Sequence, residues 1–103
     1  MFARLVTTHM KPDLFPQATD KLAKDVIPLL KKQTGFRDEL SFFDDKKDEA
    51  IAISFWNTRE DAVRYDREVY PKVRETMAKM YEGTPKIRGF EVANSTWYDI
   101  HAH

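Results

Sequence analysis

Hydrophobic positions along the chain change period several times, and the changes mark out its elements. Alternation from Phe2 to His9 predicts a first strand. Lys11-Pro12 turns the chain, because proline cannot donate to a ladder and fixes its own φ. Phe15, Ala18, Leu22, Val26, Leu29 and Leu30 then recur at helical spacing, with Lys21, Lys24, Asp25, Lys31 and Lys32 on the opposite side. Asp13 is the expected N-cap of this helix, and Pro16 falls in its first turn. Pro28 should remove the bond to the Lys24 carbonyl and kink the axis. Gly35 is expected to end it in the left-handed conformation.

Phe36 to Phe43 reads as a second strand, Asp44 to Glu49 as a charged hairpin loop, and Ala50 to Trp56 as a third strand. Ile51, Ile53 and Phe55 share one face of that third strand; Ala50, Ala52, Ser54 and Trp56 share the other. Neither face carries a charge, so both are expected to be buried. Thr58-Arg59-Glu60-Asp61 reads as a capping box opening a second helix, with Ala62, Tyr65, Val69, Val73, Met77 and Met80 as its stripe. Pro71 should split that helix near Val69, and Gly83 and Pro85 should stop it. Lys86 to Ile100 is the last extended stretch, with bulges or bends expected at Gly89 and Asn94-Ser95. The order β-α-β-β-α-β predicts a ferredoxin-like α+β fold, a four-stranded antiparallel sheet with two helices on one face.

A length of 103 residues is enough for one domain and one core. At 42% hydrophobic and 33% charged, the composition is globular. Seventeen basic residues balance seventeen acidic ones, so neither a nucleic-acid footprint nor a polybasic membrane patch is expected. Cysteine is absent, which excludes disulfides, thiol chemistry and cysteine metal sites. No apolar run reaches the ~20 residues of a membrane helix, and the opening segment is too weakly apolar for a signal peptide. A cytoplasmic protein is expected. The third strand lacks the basic-glycine-aromatic motif of an RNA-binding domain, and no phosphate loop, nucleophile elbow or HExxH helix occurs.

The chain resembles the antibiotic-biosynthesis-monooxygenase-like family of dimeric α+β barrels over nearly its whole length. The residues that carry the resemblance are the leading strand into Lys11-Pro12, Pro28-Leu29-Leu30 running to Thr34-Gly35-Phe36, and Phe55-Trp56-Asn57-Thr58-Arg59-Glu60-Asp61-Ala62. The resemblance implies a homodimer in which two sheets pack face to face. It also implies a cofactor-independent monooxygenase acting on a small aromatic or quinone-like molecule; a non-catalytic ligand-binding or stress-related protein of the same fold is the alternative. In the quinone-forming members, an Asn and a Trp on strand three act with a Tyr and an Arg on helix two. Trp56 matches; Ala52 stands in the Asn place, Ala62 in the Tyr place, and Arg74 is the nearest candidate for the Arg. In the haem degraders an Asn, a Trp and a His serve, and those places fall at Leu5, Tyr65 and Glu75. Helix two carries no histidine, so no haem and no other cofactor is expected.

His9, the one histidine away from the C-terminus, is the candidate general base; the competing reading is an exposed strand-end side chain. Trp56, Tyr65, Tyr70 and Arg74 are the candidate substrate-binding residues, against the reading that the aromatics simply fill the core. Small residues beside Trp56 leave two readings open, a cavity for an apolar ligand or a space filled by Phe15, Leu22 or Tyr65. His101 and His103 read as a tail rather than a metal site, and no metal is expected.

Overall fold

The computed structural model describes residues 1–44, 46 and 48–98. His101 and His103, and the end of the long stretch predicted to reach Ile100, lie outside the described residues. Four antiparallel strands form one sheet in the order β2-β3-β1-β4. They are β1 (Phe2–His9), β2 (Phe36–Asp44), β3 (Glu49–Trp56) and β4 (Glu82–Glu91). The helical segments α1 (Phe15–Lys21), α2 (Ile27–Lys31), α3 (Arg59–Glu68) and α4 (Tyr70–Met77) supply the rest of the framework. This is the ferredoxin-like α+β arrangement that the element order predicts.

The alternation of β1 decides what faces the core. Arg4, Val6 and Thr8 are buried beneath the helices, and Leu5, Thr7 and His9 point to the other side. Register carries this parity across the sheet: Arg4 lies opposite Ser54, Val6 opposite Ala52, and Thr8 opposite Ala50. The small face of β3 is therefore the helix-facing one. Ile51, Ile53 and Phe55 lie on the open face and are only partly buried, because no element of the chain covers that side fully. The expectation that both faces are buried holds within the chain only for Ser54 and Trp56 on the helix-facing side, Ala50 and Ala52 being partly buried.

Pro28 acts through the turn before it. Between α1 and α2 the backbone widens into a π-turn over Leu22–Val26, where the Ile27 N–H reaches back to the Leu22 carbonyl. Pro28 then sits at the start of α2, where its missing N–H costs little. Asp13 is not the N-cap; it lies inside a 3-10 turn, Pro12–Leu14, that runs straight into α1, so Leu14 takes the cap position and no side chain caps the helix. Thr58 does cap α3, its hydroxyl accepting from the Asp61 N–H at 3.1 Å. Asp61 turns instead to Arg64, 3.0 Å away, so the box is half made. The break before Pro71 falls at Val69, as the sequence predicts.

β4 departs from expectation at both ends. It begins at Glu82, so Gly83 and Pro85 lie within it; Pro85 is tolerated because β4 is an edge strand. It stops at Glu91, and residues 96–98 bend so that the Ser95 hydroxyl accepts from the Trp97 and Tyr98 N–H groups. Gly89 makes no bulge; a Cβ there would overlap the Phe2 ring. The irregularity lies between Thr7 and His9 on β1.

Candidate ligand-binding site

The small inward face of β3 cannot fill the space beneath the helices. Two neighbouring cavities remain between sheet and helices. One, of about 70 Å³, is lined by Met10, Phe15, Ala18, Ala50 and Met77 among others. The second, of about 50 Å³, is lined by Arg4, Glu39, Ser54, Tyr65, Tyr70 and Val73 among others. Val6, Leu22, Ala52 and Tyr81 belong to both walls. Neither alone reaches the ~150 Å³ of a dry cavity known to hold benzene, so a ring would need the side chains of the shared wall to shift.

Trp56 lines neither cavity; it packs behind Ser54 and Tyr65, which do line the second. It is fully buried, its indole N–H donates to the Ser54 hydroxyl at 2.9 Å, and its ring meets Phe36 at 5.5 Å and Tyr65 at 5.0 Å. Tyr65 and Tyr70 do line the inner cavity. Arg74 is exposed and lines neither cavity; its charge reaches Tyr70 only at a distance. His9 is exposed on the opposite face of the sheet, opposite Glu49 and Glu82, and lines neither cavity. Strand parity turns it away from the space it was expected to serve.

Three residues of the inner cavity were not singled out from the sequence: Arg4, Glu39 and Tyr81. Arg4 is 5% exposed, a charge buried on an inward strand position. Its Nη2 donates to Asp66 at 2.6 Å, and its guanidinium lies over the Tyr70 ring at 4.1 Å and near the Tyr65 ring at 5.3 Å. Its signal in the sequence is a lone cation in an otherwise uncharged strand. Glu39 accepts from the Ser41 hydroxyl at 2.7 Å. Burial raises its carboxyl above the usual range, and the Ser41 hydrogen bond opposes this. Burial raises Tyr65 strongly, with the Arg4 charge opposing, and pushes Tyr81 up to about 12. Both phenols therefore stay neutral near pH 7. Among the described residues no group of His, Asp or Glu could hold a metal ion, and no helix is long and apolar enough to cross a membrane.

No family model and no curated protein matches the chain. Solved structures do match. A candidate antibiotic biosynthesis monooxygenase from Bordetella bronchiseptica superposes with a TM-score of 0.76 at 9% identity, over 90% of this chain and 97% of that one. A Streptomyces coelicolor monooxygenase in complex with the ligand nanaomycin D gives 0.76 at 14%, over 91% and 88%. A Nitrosomonas europaea protein of unknown function gives 0.73 at 14%, over 92% and 91%. This chain has the antibiotic biosynthesis monooxygenase fold. At these identities the likeness establishes fold, and the chemistry must be argued from the cavity.

Proposed function

We propose that the cavity between sheet and helices binds a small planar aromatic molecule of phenol or quinone type. On this reading the protein is a cofactor-independent monooxygenase. The observation that carries the reading is the small pair Ala52 and Ser54 on the same unfilled, mostly apolar space as Tyr65 and Tyr70. The bound ligand of the Streptomyces coelicolor neighbour supports it at the level of fold. Such chemistry needs a substrate that reacts with dioxygen once deprotonated; the protein supplies a base and excludes water. Glu39 is the carboxylate on the inner wall, and burial raises its proton affinity, the direction a general base needs. His9, on the far face, has no part in this reading.

The test is oxygen consumption with simple phenols and hydroquinones. Glu39→Gln is expected to cut turnover by about 10²–10⁴-fold, the usual loss for a general base, and His9→Ala to leave it unchanged. An unchanged rate in Glu39→Gln would remove the base assignment. A second reading, a non-catalytic binder, is favoured by Ala52 and Ala62 at the family's Asn and Tyr places. It predicts ligand binding with no oxygen uptake.

The same reading makes the protein a homodimer joined through the open sheet face. Leu5, Leu40, Ile51, Ile53 and Phe55 are partly exposed there, with Phe42 and Phe90 exposed. A contiguous apolar face of this kind marks a protein interface. Trp97 and Tyr98 pack beside Phe55 at 6.3 and 6.2 Å and extend the apolar surface. Ile53→Asp is expected to abolish the dimer, because an unpaired charge would be buried at its centre. Wild-type protein sedimenting as a monodisperse monomer would refute the arrangement.

A further inference from the structure

We infer that the Arg4 Nε–H and the Tyr70 O–H form an anion-holding end of the inner cavity, which binds a small planar phenol or enol through its ionised oxygen. The inference rests on the cavity reading above and adds the ligand's charge and its anchor. Both groups are buried and neither makes a well-formed hydrogen bond within the protein. The Arg4 side chain does reach the Tyr70 hydroxyl closely enough to oppose the rise that burial imposes on that phenol, while the Tyr70 O–H itself stays undonated. Both side chains line the inner cavity, and they are neighbours, the guanidinium carbon lying 4.1 Å from the Tyr70 ring centroid. Buried donors are almost always satisfied, so two orphans on one cavity wall mark a missing acceptor. One oxygen with free lone pairs can take both bonds.

The rest of the constellation selects the ligand. Asp66 engages only the Nη2 end of Arg4, leaving the Nε edge free for an acceptor. Val6, Leu22, Val26, Leu30 and Val73 make the remaining wall apolar, which suits a ring. Glu39 lies on the same cavity and can take the ligand's proton. In that step the ligand O–H bond breaks, the proton passes to the Glu39 carboxylate, and the electron pair stays on the oxygen between Arg4 and Tyr70. Nothing is oxidised or reduced. The charged and titratable groups around the anchor are Asp66 and Tyr65 from α3, Arg74 from α4, Tyr81 after α4 and Glu39 from β2.

The test uses para-nitrophenol, whose ionised form is coloured, with nitrobenzene as an uncharged comparator of similar shape. Bound to the wild-type protein, the dye is expected to ionise about one pH unit or more below the free dye, as an acid does beside a guanidinium. One unit corresponds to a tenfold preference for the anion. Arg4→Met should remove the shift. Tyr70→Phe keeps its ring and its packing, and should reduce the shift while changing nitrobenzene affinity less than about twofold. A bound dye that ionises at or above the free midpoint overturns the inference, and so does a shift that survives in both variants. If nitrobenzene binds and the dye shows no shift, the cavity reading stands and the anion site falls, its donors being satisfied by water. If neither probe binds, both fall.

Discussion

Trp56→Ala is expected to destabilise the protein by about 3–5 kcal/mol, the range for removing a fully buried large aromatic. Typical domains hold only ~5–15 kcal/mol in total, so much of the population should unfold under mild denaturant. Three losses coincide. The indole leaves a cavity between Phe36 and Tyr65, both aromatic contacts vanish, and the buried Ser54 hydroxyl loses its donor. Urea unfolding followed by circular dichroism gives the size. Trp56→Phe should lose less, since a ring remains to pack. A cost under about 1 kcal/mol for Trp56→Ala would mean that neighbouring side chains collapse into the space, contrary to rigid packing around the indole.

Gly35→Ala is the second large effect, expected at about 2 kcal/mol or more. Gly35 sits at φ +81°, where an L-residue costs roughly 1–2 kcal/mol, and a Cβ there would overlap the Asp61 carboxylate. The surroundings cannot simply give way. The Gly35 carbonyl accepts from the Asn57 N–H at 2.8 Å, which ties the end of the first helical layer to the start of α3. A double-mutant cycle separates the two causes. In an Asp61→Ala background the carboxylate overlap is removed but the residue 61 Cβ, 2.7 Å from the new Cβ, remains, so Gly35→Ala should cost less there, though still more than the backbone strain alone. Costs that simply add would show that Asp61 already moves aside freely.

Much of this architecture was legible because it depends on local rules. The bounds of β1, the break at Val69 ahead of Pro71, the left-handed Gly35 and the Thr58 cap each follow from residues within one turn of the feature. The entry to the first helix did not, because Pro12 opens a 3-10 turn ahead of α1 and strips Asp13 of its capping role. β4 did not either. Edge position is a property of the whole sheet, and it makes a strand residue of a proline that reads locally as a stop signal. The site was half legible. Tyr65 lies on the expected stripe and Tyr70 lies off it, yet both line the cavity. Arg4 was missed because a lone arginine in a strand ordinarily faces water; its burial depends on Asp66, 62 residues away, and on two tyrosine faces. Parity alone could place His9 with Leu5 and Thr7, but only the packed helices show that this is the face away from the cavity.

The π-turn has a kinetic side. Leu22 and Val26, which wall the inner cavity, both belong to it. A widened turn followed by a residue without an N–H is a weak point in the backbone ladder, and weak points open first. The cavity is thus walled on one side by a segment whose backbone ladder is interrupted. Entry of a ring would be timed by the breathing of that turn rather than by diffusion, so association should be slow for so small a ligand, and residence correspondingly long once the turn recloses.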